Sequence, residues 1–165
     1  MCDSPSQSPS SDNSDSPSPK KRKRYLWRGF WLTFLVASLA YAWYSFYAPS
    51  NNVAWAENIT LAQQRAADSD KPIILYFTGD WCVPCRIMKR QVWADEEVTA
   101  LVNDQFIPVA LDVDDPENAA LMERYSIVGP PVIIVTDAEG NALRWRAGGM
   151  NKTDFLELLN PSNPS

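Results

Sequence analysis

The stretch "FTGDWCVPCRIMKR", residues 77–90, decides how this chain is read. Two cysteines, Cys82 and Cys85, stand two residues apart just after the apolar run "PIILYF" (72–77). A pair so spaced can hold a metal, staple a loop or carry electrons. A structural zinc site wants four nitrogen or sulfur ligands. This chain has three cysteines and no histidine, and its third cysteine, Cys2, lies at the far N-terminus. Zinc therefore does not fit, whereas Cu(I) can use two thiolates and stays open. A purely structural disulfide would close almost no loop here and stabilise little.

Exchange chemistry suits the pair better. A short continuous apolar run reads as a strand buried on both faces, and Cys82 then falls at the start of a helix. Free N–H groups and the helix dipole at that end favour a thiolate, which is the nucleophile of thiol–disulfide exchange. Cys82 would attack a substrate disulfide. Cys85, one turn further in and less exposed, would resolve the adduct. Pro84 fits an early helical turn, where a missing N–H costs little, and Trp81 is placed to shield the attacking sulfur.

Outward from this motif the composition is uneven. Residues 1–24 read as a disordered tail of Ser, Pro, Asp and Asn that ends in the basic cluster "KKRKR". Residues 25–48 hold "GFWLTFLVASLAYAWYSFYA" (29–48), twenty residues without a charge. A helix of that length spans about 30 Å, enough for a bilayer core. Aromatic residues at both ends (Trp27, Trp31, Trp43, Tyr44 and Tyr47) and Arg28 suit the interfaces. The reading is a single-pass signal anchor with the N-terminus cytoplasmic and the domain on the far side of the membrane. "VAWA" (53–56) offers an Ala-x-Ala cleavage pattern, but the apolar segment exceeds an ordinary signal-peptide core. Residues 49–56 are then a linker, 57–160 a globular domain large enough for one core, and 161–165 a disordered end.

Charge divides along the same line. Up to Arg28 the balance is +3, and beyond it nine Lys/Arg face seventeen Asp/Glu, a balance of −8. An acidic domain repels phosphate backbones, which excludes nucleic acid as a partner.

Within 57–160 the pattern reads αβαβαββα. A first helix has Thr60 as N-cap and Gln63 at the capping-box position. Strands follow at 72–77, 106–113, "PVIIVT" and "ALRWR". Helices start at Cys82, after an Asp95 cap and after Asp115–Pro116, and the last is "KTDFLELL". Strands separated by helices are expected to pair in parallel, with the last hairpin antiparallel. Asn58-Ile-Thr60 and Asn151-Lys-Thr153 match glycosylation sequons but also make sense as helix caps.

"DWCVPC" after a buried strand, followed by "VGPPVIIV" (128–135), resembles the thioredoxin superfamily over residues 57–160. "GDWCVPCRIMKRQVW" and "YSIVGPPVIIVTDAEGN" look most like the C-terminal domain of bacterial transmembrane thiol:disulfide interchange reductases. The resemblance implies a thioredoxin-like α/β fold: a mixed four-stranded sheet with flanking helices, here preceded by the transmembrane helix. It also implies that Pro131 is a cis proline beside the cysteine pair, helping to bind substrate together with Trp81 and Pro130. Two positions depart from the family pattern. Tyr76 stands six positions before Cys82, where many members have a buried Asp, and Asp80 is nearer in sequence but exposed. Pro130 has no N–H to pair with a substrate strand.

Val83 and Pro84 put no charge between the cysteines, so a potential nearer about −270 mV than about −120 mV is expected. The expected function is a membrane-tethered protein-disulfide reductase outside the cytoplasm, with no cofactor beyond its own disulfide; the resemblance implies a bacterial cytoplasmic membrane and a periplasmic domain. Its expected partners are disulfide-containing proteins and a membrane thiol electron donor. The alternatives are an oxidase or isomerase, or a non-catalytic Cu(I)-binding or adaptor module.

Overall fold

The computed structural model describes residues 19–47 and 50–160. Most of the tail read as disordered, and all of 161–165, lie outside the described residues. The chain divides into two units after Phe46. Among its described residues the first contains one helix, α1 (Pro19–Phe46). Its rings meet edge to face about a turn apart, Trp27 with Trp31 at 6.4 Å and Trp31 with Phe34 at 6.0 Å.

The sequence reading took this region as a membrane anchor, and that expectation is overturned. Among the described residues no helix is long and apolar enough to cross a membrane. The physical reason lies in composition. Nine of the twenty residues 29–48 are Gly, Ser, Thr, Trp or Tyr, so a run without charge is still far less apolar than one of Leu, Ile and Val. The transmembrane helix, the single-pass topology, the cytoplasmic-membrane and periplasmic placement, and the tether in the expected function are withdrawn with it.

The second unit is built on β1 (Ile73–Thr78), whose six residues are all buried. Alternate side chains point to opposite faces. Ile74 and Tyr76 enter one core with Met88, Trp93 and Phe155, while Ile73, Leu75 and Phe77 enter another with Ala62, Leu111 and Ile134. Helix α2 (Ile59–Ser69) precedes β1. Its N-cap is Asn58 rather than Thr60: Leu61 N–H donates to Asn58 Oδ1 at 2.9 Å. Helix α3 (Val83–Gln91) follows β1, and α4 (Glu96–Gln105) starts at the expected Asp95 cap.

Strand β2 (Ile107–Asp112) leads to a 3-10 turn at Pro116–Asn118 and a short α5 (Ala119–Arg124), where one helix was expected. Strands β3 (Val132–Thr136) and β4 (Ala142–Ala147) form a hairpin, and α6 (Lys152–Leu159) closes the chain with Asn151 as its cap. The strand order is β2-β1-β3-β4. β1 and β2 pair in parallel as expected. β3 does not join β2 across the helix between them; it runs antiparallel beside β1. The sheet is therefore mixed and four-stranded.

Residues 51–56, read from sequence as a linker, pack onto this domain. Val53 and Ala56 are buried. Ala56 N–H donates to Pro108 O at 2.7 Å, and Asn103 bridges to Ala54 N–H and Asn52 O at 2.8 and 2.9 Å. The Trp55 ring lies 4.8 Å from that of Trp93, which also meets Tyr76 at 5.2 Å and Phe155 at 4.8 Å. Trp93→Ala should cost about 3–5 kcal/mol in denaturant unfolding, the range for removing a buried large aromatic ring.

One polar contact ties α4 to α6. Lys152 Nζ lies 2.8 Å from Asp95 and 2.7 Å from Glu97. The hydrogen bond from Lys152, followed by the cap bond from Val98 N–H, holds the Asp95 carboxyl below the ordinary carboxylate range. Asp95, and after it Glu97, raises the Lys152 ammonium. A lowered acid contributes stability above its unfolded value, about 3.9 for Asp, and loses it as pH falls through the folded value. The raised lysine contributes below about 10.4 and loses its share as pH rises through its folded value. Asp95→Asn should therefore flatten the acid limb of a thermal-midpoint profile below about pH 4 and weaken the alkaline limb. An unchanged acid limb would show that the pair contributes nothing.

Candidate active site

β1 runs into the turn Thr78–Trp81, where Gly79 lies against the Trp81 indole; a Cβ there would sit 3.3 Å from Trp81 Nε1. Cys82 N–H donates to Gly79 O at 3.2 Å, closing the turn. Cys82 has extended backbone and is the N-cap of α3, its Sγ accepting from Cys85 N–H at 3.2 Å. Pro84 occupies the first turn, where its missing N–H leaves no bond unmade. The chain thus places Cys82 where a sulfur meets the unpaired N–H groups of a helix.

Cys82 and Cys85 form a disulfide, with Cα atoms 5.3 Å apart. Cys85 is fully buried and Cys82 nearly so, while Trp81, Val83 and Pro84 around them are exposed. Trp81 is held despite its exposure: its Nε1–H donates to Asp114 Oδ2 at 2.7 Å. Gly149, in the loop before α6, comes so near Pro84 that a Cβ would stand 3.1 Å from the ring. Asp114 was not singled out from sequence, and Gly149 showed there only as a chain break before the last helix. Both act across the fold from the motif, and no local spacing marks them.

Beneath the pair, Tyr76 donates from its hydroxyl to the Cys85 carbonyl at 3.4 Å. Burial pushes its phenol up from the ordinary value. The Thr78 hydroxyl and Trp93 indole offset this in part, although Thr78 Oγ1 and Trp93 Nε1 themselves reach no partner at hydrogen-bonding geometry. Asp80 is exposed and does not replace a buried carboxylate there. Pro131 is buried and Pro130 half-buried. The bond between them is cis, the geometry the resemblance implies. Gly148 N–H donates to Pro131 O at 2.8 Å, which fixes the loop to the end of β4.

Among the described residues, no three or more His, Cys, Asp or Glu side chains are gathered to hold a metal ion. The redox group is the disulfide itself. Residues 54–138 match the thioredoxin-like family. The chain belongs to that family.

Its relatives narrow the likeness. The thiol:disulfide interchange protein DsbD of Ralstonia nicotianae is 35% identical over 100 residues, which is 59% of this chain and 16% of that protein. DsbD of Yersinia enterocolitica is 31% identical over 114 residues, 66% of this chain and 20% of the relative. The chain therefore spans only a minor part of the curated relatives it matches. Among solved structures, the oxidised C-terminal domain of Neisseria meningitidis DsbD superposes with a TM-score of 0.52 at 27% identity, covering 62% of this chain and 93% of that one. The oxidoreductase DsbH gives 0.57 at 26% identity, covering 68% and 84%. This thioredoxin-like domain resembles the C-terminal domain of bacterial DsbD proteins, and its proximal disulfide is consistent with thiol–disulfide oxidoreductase activity.

The Trp81–Asp114 bond has its own test. In an amide-region NMR spectrum the seven tryptophans give separate indole N–H signals. Asp114→Ala should move one of them, that of Trp81, and leave the buried Trp93 signal in place. If no indole signal moved, the bond would not hold in solution.

Proposed function

We propose that this chain is a protein-disulfide reductase whose reacting groups are Cys82 and Cys85. The observation that carries the reading is the disulfide at the N-terminus of α3, with Cys82 Sγ accepting an N–H of the first turn. In the reduced protein the same N–H groups favour the Cys82 thiolate. The thiolate attacks one sulfur of a substrate disulfide, forming a mixed disulfide as the other substrate sulfur leaves and takes up a proton. Cys85 then loses its proton and attacks Cys82 Sγ. The second substrate thiol leaves, and the Cys82–Cys85 bond re-forms. Two electrons pass from the dithiol to the substrate. The Cys82–Cys85 disulfide is the form this cycle would leave behind.

Trp81, fixed by Asp114, and the Pro130–Pro131 loop supply the surface on which substrate lies, with Val83 and Pro84 exposed between them. Partners of the reaction are proteins containing disulfides. A reductase must also be reduced again after each turnover, so a thiol donor is required; a membrane thiol protein is the donor we propose.

Cys85→Ser should accumulate mixed disulfides, visible as non-reducing gel shifts that thiols reverse, whereas Cys82→Ser should accumulate none. Limiting alkylation of the reduced protein should label Cys82 first, and labelling of Cys85 first would reverse the assignment. Equilibration with a thiol buffer should give a potential nearer about −270 mV than about −120 mV. The more oxidising value would make the protein an oxidase.

A further inference from the structure

The hairpin at the end of the sheet leaves a surface that the disulfide chemistry does not use. β4 pairs with β3 on one side and, among the described residues, with no strand on the other. Its outer backbone N–H and C=O groups are therefore free to pair with another strand. All six residues are exposed or half-exposed, an unusual state for a strand in a sheet whose other members are largely buried. Leu143 and Trp145 are 53% and 61% exposed, and Val128 nearby is fully exposed.

The two faces of β4 differ in chemistry. Trp145 pairs with Ile134 and Ala147 with Val132, so they share a face. That face carries an apolar groove of about 450 Å³ lined by Tyr125, Ile127, Val128, Val132, Ile134 and Trp145 among others. Arg144 and Arg146 pair with Val135 and Ile133 and point to the other face. Arg146 is exposed. Neither guanidinium forms an ion pair among the described residues, and Arg144 Nε, shielded from water, has no acceptor there. Two cations thus stand side by side on the edge of a part of the chain that is otherwise acidic.

We propose that the free edge of β4 is a docking site for an extended partner segment in which apolar and acidic residues alternate, added as a fifth strand. The period of two sends alternate side chains to opposite faces. Apolar residues would enter the groove beside Trp145, and acidic ones would face Arg144 and Arg146. A second copy of β4 fits poorly, because it would set arginines against arginines. The site is independent of Cys82 and Cys85.

A seven-residue, end-blocked peptide alternating Glu and Val tests this with the full-length chain by calorimetry, beside a Lys–Val counterpart. Non-specific attraction to an acidic protein would favour the Lys peptide, whereas the proposed site demands the reverse by at least about tenfold. Arg144→Glu/Arg146→Glu should exchange the preference, the Lys peptide then binding saturably and losing that binding on N-methylation of alternate peptide bonds, which non-specific attraction to a misfolded acidic chain would not show. Trp145→Ser should weaken both, and N-methylation of alternate peptide bonds should abolish binding. Cys82→Ser/Cys85→Ser should bind as the parent does, so failure of the redox reading leaves this result standing. The proposal is overturned by equal or tighter binding of the Lys peptide, by absence of saturable binding, or by indifference to the arginine reversal. Equally, a dimer in sedimentation that Trp145→Ser dissociates and the Glu peptide fails to compete away would assign the edge to a second copy.

Discussion

The buried ring of Trp93 is the contact on which the rest of the domain depends. It lies at the end of α3, between Trp55 from the N-terminal segment, Tyr76 from β1 and Phe155 from α6. Three stretches separated in sequence converge on one side chain. Aromatic rings bring large buried area and prefer edge-to-face contacts of this kind. The α3 helix cannot shift on the sheet without opening that cluster. The position of the disulfide above β1 is therefore set by packing from below, while the turn at Gly79 and the cap at Cys82 set its orientation locally.

Reactivity and packing meet at the junction between β1 and α3. A strand buried on both faces delivers the chain to a helix whose first turn has free N–H groups, and the capping atom is a sulfur. Caps are ordinarily oxygen atoms of Ser, Thr, Asp or Asn. A sulfur in that place is a weak acceptor when neutral and a strong one as a thiolate, so helix stability and thiolate stability become the same quantity. The contacts of Trp81 with Asp114 and of Pro84 with Gly149 add a rim drawn from two loops. Chemistry thus sits on a rigid base with exposed, adjustable edges.

What could be read from sequence follows from how local each signal is. β1 showed as an unbroken apolar run, and Asp95 as a cap ahead of a periodic segment. Cys82 and Cys85 showed through spacing alone. Signals that depend on distant partners were invisible: Asp114 beneath Trp81, the convergence on Trp93, and β3 inserting antiparallel beside β1. Two local readings also went astray. Thr60 competed with Asn58 for one cap, and the side chain reaching Leu61 N–H won. For residues 29–48 absence of charge stood in for apolarity, although Tyr, Ser, Thr and Gly carry little of it and Trp favours an interface over a hydrocarbon core. Residues 51–56 looked like a spacer because their partners, Asn103, Pro108 and Trp93, lie far along the chain.

Tyr76 is where family resemblance and this chain's own chemistry separate. A buried carboxylate below the second cysteine could take a proton from it, but a phenol whose ionisation burial has pushed upward stays neutral near pH 7. Its hydrogen is directed to the Cys85 carbonyl, so it acts as a donor to the helix backbone. The remaining neighbours in that core, Met88, Val92, Trp93 and Ile133, have no group that titrates near neutrality. In the exchange proposed for this site, the proton of Cys85 must then pass outward, to solvent or to the sulfur being released. By the second route resolution of the mixed disulfide is coupled to the departing thiol, a coupling that a carboxylate at position 76 would remove.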